Sequence, residues 1–192
     1  MQKTTGITAM FGAILFATAA TANDFRPAME AFYSSAVQDW ADADVLVEAI
    51  ADQNAATAGY SDAEIEALDQ AWRAEVGAGS MPTISPVLDN IAAGFLRGQV
   101  SASGGRITEI FVMDARGLNV AASHVTSDYW QGDEAKHIET YGSGAGAVHF
   151  SDVELDESSQ RYQGQISVTI TDPASGKPIG AITVGVDAEA LM

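Results

Sequence analysis

The chain has no cysteine, and only 9 lysines and arginines against 26 aspartates and glutamates, for a net charge of −17 over 192 residues. The missing thiols exclude disulfides, thiol nucleophiles, Cys-ligated zinc and iron–sulfur clusters. A domain of this length can still fold without disulfides, because its core is large enough. The scarcity of cations makes nucleic acid and anionic membrane surfaces poor partners, since both are held by Lys and Arg at phosphate. There is no P-loop and no G-x-S-x-G. Gly142-Ser143-Gly144-Ala145-Gly146 superficially suggests a nucleotide loop, but it lacks the Lys and the strand–helix setting that cradle phosphate. His124, His137 and His149 are scattered without metal-ligand spacing, and Asp152, Glu154, Asp156 and Glu157 lack the pattern and the Gly of a calcium loop. No catalytic, metal or cofactor arrangement emerges, so the chain does not read as an enzyme.

Long apolar runs are also scarce. Ile7 to Ala20 is shorter than the ~20 residues that cross a bilayer. It follows Lys3 and ends at Ala20-Thr21-Ala22, a small-x-small cleavage pattern. Residues 1–22 therefore read as a cleaved secretory signal peptide, with an uncleaved anchor as the competing reading. Export combined with the absence of cysteine fits a bacterial periplasm. Residues 23–192 suit a single domain, helical over 23–103 and sheet-forming over 106–192.

In the helical half, Phe25, Met29, Phe32, Val37, Trp40, Leu46 and Ile50 recur at spacings of three to four. With no Gly or Pro between Ala28 and Ala58, one long helix is allowed. It either packs on its own domain or forms the seam of a homodimer. Ser61-Asp62-Ala63-Glu64 is a capping box that opens a second helix, with Ile65, Leu68 and Trp72 on one face and Asp69 paired to Arg73. Ser85-Pro86 opens a third, with Val87, Leu88, Ile91, Ala92, Phe95 and Leu96 as its stripe.

The sheet half begins with Ile110, Phe111, Val112 and Met113, an apolar run that reads as a strand buried on both faces. Asp114-Ala115-Arg116-Gly117 is a type I turn, in which Asp bonds the backbone two residues on. Leu118, Val120 and Ala122 return as a half-buried strand. Thr126 to Asp133 then combines Tyr129 and Trp130 with Ser127, Gln131 and Asp133, a mixture that suits one wall of a small-molecule pocket. Asp133 is equally suited to cap a short helix running to Tyr141. Gly142, Gly144 and Gly146 make a link able to move as a lid. Three strand-like runs follow: Val148–Leu155, Tyr162–Thr171 and Pro178–Asp187. In the second, Ile166, Val168 and Ile170 share one face, and Gln163, Gln165, Ser167 and Thr169 the other. The greasy face takes the long helix. The polar face is either wet or lines a pocket.

The segments FVMDARGLNVAAS, TSDYWQGDEAK and PASGKPIGAITVGVDAEAL resemble the Cache family of extracytoplasmic sensor domains, which are PAS-like, and above all the single-Cache type. The resemblance implies an α+β fold, with a long N-terminal helix and short helices packed on an antiparallel sheet. It also implies that the other face and its loops hold a small ligand. Tyr129, Trp130, Gln131, Ser127 and Asp133 are then the first ligand contacts, with Gln165, Ser167 and Thr169 on the sheet. Arg73 suits an acidic ligand group, although its pairing with Asp69 also accounts for it. Asp187 suits an amine, or else caps the C-terminal turn. A stand-alone Cache protein would pass its signal to a membrane-bound signalling protein. The alternative is a ligand-free interaction protein that dimerises through its long helix.

Overall fold

The computed structural model describes residues 25–156 and 161–192. The expected signal segment at 1–22 lies outside the described residues, as does Glu157. The fold is α+β. Six strands form one antiparallel sheet: β1 (Ile107–Asp114), β2 (Asn119–Ala122), β3 (Val148–Phe150), β4 (Glu154–Asp156), β5 (Arg161–Thr171) and β6 (Pro178–Asp187). Their order is β2-β1-β6-β5-β3, and β4 also pairs with β5. Chain-adjacent strands thus sit at both sides of a β1–β6–β5 centre.

The greasy face carries the main core. The register aligns Ile110 with Val184 and Ile166, and Val112 with Ile182 and Val168, as period-two alternation requires. Against them pack Met29 and Phe32 from α1 (Arg26–Phe32), Leu46 and Ile50 from α2 (Asp44–Thr57), and Leu96 from α5 (Ile91–Ala102). The helices therefore lie where the strand pattern placed them.

Two helical stretches differ from the sequence reading. The first is not one helix. α1 widens into a π-turn over Tyr33–Val37, and the chain turns before α2, with Ala43 extended at ψ 141°. Asp39, Asp42 and Asp44 explain the break without Gly or Pro. Asp is a poor interior helix residue but favourable in a first turn, where Asp44 now stands. Likewise, the stripe from Val87 to Leu96 is split. Ser85–Leu88 forms α4, whose N-cap residue is Ile84 rather than Ser85. Asn90 then restarts the chain as the N-cap of α5, its side chain accepting from the Ala93 N–H at 2.8 Å and donating to the Val120 carbonyl at 2.9 Å. Ile91, expected in the core, is 83% exposed as a result.

α3 (Asp62–Glu75) opens with both halves of the expected capping box. It packs on the opposite face of the sheet, where Trp72, Ile84, Phe111, Met113 and Ala181 form a second core. The Trp72 Nε1 donates to the Thr126 carbonyl at 2.9 Å, which ties α3 to the loop after β2. The hairpin turn is as expected: Asp114 Oδ1 accepts from the N–H of Arg116 at 2.8 Å and of Leu118 at 2.9 Å. Its Oδ2 accepts from Thr57 Oγ1 at 2.8 Å and Gln53 Nε2 at 3.2 Å, so this fully buried carboxylate also fastens α2 to the hairpin.

The run expected at Val148–Leu155 is interrupted at residues 151–153, giving β3 and β4. The polar sheet face is covered over its middle: Ser167, Thr169 and Thr183 are buried, with Ser167 and Thr183 hydroxyls 3.0 Å apart. The cover is α6 (Ala135–Ile138) and a 3-10 turn at Tyr141–Ser143, which lie against β5 and β6. The short helix is thus shorter than Asp133 to Tyr141, and no side chain caps it. No helix among the described residues is long and apolar enough to cross a membrane.

Candidate functional site

The aromatic loop is an added strand in all but length. The Asn119 N–H donates to the Tyr129 carbonyl at 3.0 Å and the Gln131 N–H to the Gly117 carbonyl at 2.8 Å, with Leu118 and Trp130 bridged antiparallel. Successive side chains of an extended segment point to opposite sides. Tyr129 and Trp130 therefore enter different surroundings, although they are neighbours. Tyr129 stacks on Trp72 with ring centroids 5.3 Å apart. Trp130 lines a groove of about 740 Å³ between the loop, the β1–β2 turn and α3.

The opposing wall of the groove is one stripe of α3. Asp62, Glu66, Asp69 and Arg73 recur at intervals of three and four, beside the face that carries Trp72. Asp69 is the clamp. Its Oδ1 accepts from the backbone N–H of Tyr129 at 2.9 Å and of Trp130 at 3.1 Å, and its Oδ2 pairs with Arg73 Nε at 2.8 Å. Arg73 reaches on to Asp128 at 3.5 Å. Arg116, from the hairpin turn, bonds the Tyr60 carbonyl at 3.0 Å and pairs with Asp62 at 3.2 Å. The Arg116 carbonyl accepts from Trp130 Nε1 at 2.8 Å, which fixes the indole.

Two glycines let these segments meet. Gly117 has φ +79°, which favours Gly, and a Cβ on it would collide with the backbone of Gly132. A Cβ on Gly132 would in turn collide with Trp130 Nε1 and the Arg116 carbonyl. The turn and the loop thus touch backbone to backbone beneath the indole.

Six carboxylates line the groove (Asp62, Glu66, Asp69, Asp128, Asp133 and Glu134), against two guanidiniums. Both guanidiniums are already held by carboxylates, and Glu134 pairs with Lys136 at 2.9 Å. Asp133 is exposed and in no ion pair among the described residues. The groove therefore carries a surplus of negative charge beside an aromatic edge.

Of the sequence-selected residues, the structure brings Arg73, Trp130 and Asp133 into this groove. Ser127 and Gln131 stand behind Asp128. The Ser127 hydroxyl donates to Asp128 Oδ1 at 3.0 Å, and Gln131 Nε2 donates to the same oxygen while its Oε1 accepts from Lys136 at 3.1 Å. Gln131 is buried, so it orients Asp128 rather than facing the groove. Gln165 lies at a separate polar depression with Glu109 and His149, and Ser167 and Thr169 lie under α6. Asp187 pairs with Arg161 at 2.6 Å and caps the last turn through the N–H groups of Glu189 and Ala190, both at 3.1 Å. Asp62, Glu66, Asp128 and Arg116 were missed. The three-and-four spacing of the acids along α3 was a usable signal, but nothing local to Arg116 pointed across to Asp62.

No protein-family model and no curated protein matches the chain. Solved structures do. The sensor domain of the V. cholerae histidine kinase DctB aligns over 88% of this chain and 57% of its own, at TM-score 0.46 and 13% identity. The ligand-binding domain of the Campylobacter jejuni chemoreceptor Tlp3, in complex with 4-methylisoleucine, aligns over 83% and 62% at TM-score 0.42 and 15% identity. The ligand-binding domain of the Pseudomonas aeruginosa PAO1 amino acid chemoreceptor PctC, in complex with GABA, aligns over 77% and 60% at TM-score 0.40 and 11% identity. These are Cache-type sensor domains. The chain spans about three-fifths of their length.

Proposed function

We propose that the chain is an extracytoplasmic small-molecule sensor domain, and that the groove between α3 and the aromatic loop receives its ligand. The observation that carries this reading is the pairing of an immobilised indole with a surplus of carboxylates in one cavity. Both guanidiniums are engaged, so the groove favours an amine or other organic cation over a carboxylate. The acids attract a cation, and the Trp130 ring adds apolar area for its organic body. Arg73, which alone suggested an acidic ligand, is occupied by Asp69 and Asp128.

A sensor needs its ligand to favour one of two states. The loop is joined to α3 by the two N–H bonds to Asp69, the Trp72–Thr126 bond and the long Arg73–Asp128 contact. A cation seated between Asp128, Asp133 and Glu66 would draw the loop towards α3 and load the Tyr129–Trp72 stack in the second core. The altered surface would be read by a membrane-bound signalling partner.

The test is a thermal-shift screen of the chain against amines, amino acids and carboxylates. A ligand at 100 times its Kd adds about 2.7 kcal/mol, hence a melting shift of roughly 5–10 °C for this size. Amines should shift the transition, and Trp130→Ala should remove the effect. Shifts with carboxylates alone would overturn the cationic reading. If no class gave a shift and the mass of the particle doubled with concentration, the interaction-protein reading would replace it.

A further inference from the structure

Tyr129 turns away from the acidic groove and lines a second cavity of about 830 Å³, bounded by α2, the α4–α5 corner and β2. Small side chains create the space. Ala49 and Ala56 on α2 face the cavity, as does Ala92 in the first turn of α5, where larger residues would close it. Val45, Val87 and Val120 add apolar wall.

The inner end is polar and already organised. Asp114 holds Gln53 and Thr57 in place, both of which reach the cavity. The Tyr129 ring is fixed by its stack on Trp72, yet its hydroxyl bonds no described residue. Burial, then the charge of Asp114 and Tyr60, pushes the phenol up to about 12, so it keeps its proton as a donor. A half-buried hydroxyl left open at the end of an apolar cavity is suited to a guest's acceptor. The rim carries Glu48, Asp52 and Asp89, and no Lys, Arg or His among the described residues lines the cavity. Anionic guests are therefore disfavoured.

We propose that this cavity is a second binding site, for an uncharged small molecule with an apolar body and a carbonyl or hydroxyl that accepts from the Tyr129 hydroxyl. The volume is that of a cleft able to seat a small molecule. The site is distinct from the groove, because Tyr129 lines this cavity and Trp130 the other.

Protein-observed NMR on the full chain tests this with three probes of like shape: acetophenone, ethylbenzene without an acceptor, and anionic benzoate. Acetophenone should move the methyl signals of Ala49, Ala56 and Ala92 saturably, and benzoate should not. Tyr129→Phe should weaken acetophenone about five- to tenfold, the worth of one hydrogen bond, and leave ethylbenzene unchanged. The hydroxyl bonds no described residue, so this variant should keep its structure. Ala49→Phe should abolish acetophenone binding, and Trp130→Ala should not affect it. The proposal is overturned if no probe moves the cavity methyls, if benzoate binds as well as acetophenone, or if Tyr129→Phe leaves the acetophenone preference intact.

Discussion

Replacing Asp69 separates the role of the clamp from that of the charge around it. In Asp69→Ala, the N–H groups of Tyr129 and Trp130 lose their acceptor and Arg73 loses its nearer partner. A buried donor left unsatisfied costs ~1–3 kcal/mol. Tyr129 and Trp130 are half-buried, so water recovers part of this, and a combined loss of about 2–3 kcal/mol is expected. For a domain of this size that lowers the melting point by roughly 5–10 °C. Asp69→Asn can keep its carbonyl oxygen on the two N–H groups. It gives up only the charge-assisted share and turns its amide towards Arg73, for a loss of about 1 kcal/mol. Arg73→Ala should cost least, under about 0.5 kcal/mol, because the side chain of Arg73 is 60% exposed and its ion pairs are solvated. Thermal denaturation followed by circular dichroism, with near-UV signals reporting the Tyr129–Trp72 stack, gives all three. The expected order is Ala worst, Asn intermediate and Arg73→Ala nearly neutral. If Asp69→Ala and Arg73→Ala cost the same, the carboxylate is a surface charge and the clamp does not exist.

Three further outcomes follow from groups beside the two cavities. Tyr129 should ionise near pH 12 in an alkaline absorbance titration. Its folded value lies above the unfolded one, so its contribution is intact below about pH 10 and is lost as pH rises from there, and Tyr129→Phe should flatten that limb. His137 is depressed below its usual 6.5 by burial, against the pull of its bond to the Asp114 carbonyl at 3.1 Å. The unfolded chain therefore binds the proton more readily, and stability falls as pH drops below about 6.5; chemical denaturation from pH 7 to 5 should show the slope, and His137→Gln should remove it. Gly132→Ala should displace the Trp130 indole from the Arg116 carbonyl, seen as a changed tryptophan emission and weakened groove binding.

The sheet was legible because its signals are local. Alternation in β5 and β6 assigned Ile166, Val168, Val184 and Ile182 to the helix face, and the Asp114 turn bonded its own backbone as such turns do. The capping box at Ser61 was equally self-contained. The helix breaks at residues 38–43 and at Asn90 were harder, since Asp and Asn are tolerated inside helices as well as at their starts. At Asn90 the deciding partner is the Val120 carbonyl, thirty residues on. The site divides in the same way. Trp130 and Asp133 stood out in one composition-rich loop. Arg116, Asp62 and Asp128 did not, because each acquires its neighbours only when α3 is laid along the hairpin. The polar face of β5 divides for a related reason: Gln163 and Gln165 line a polar depression, whereas Ser167 and Thr169 are covered. Nothing in Ser167 or Thr169 says that α6 will fold back over them.

The opposite aim of Tyr129 and Trp130 sets a rule for how this loop can vary. Each ring lines its own cavity, so either can be exchanged to retune that cavity. Spacing has no such freedom. One residue inserted or removed between Thr126 and Gly132 would send each ring to the wrong side and break the contact between Gly117 and Gly132. Across relatives of this chain, loop length should therefore be held constant while its aromatic identities drift, and libraries built to retune either cavity should randomise positions without changing their number.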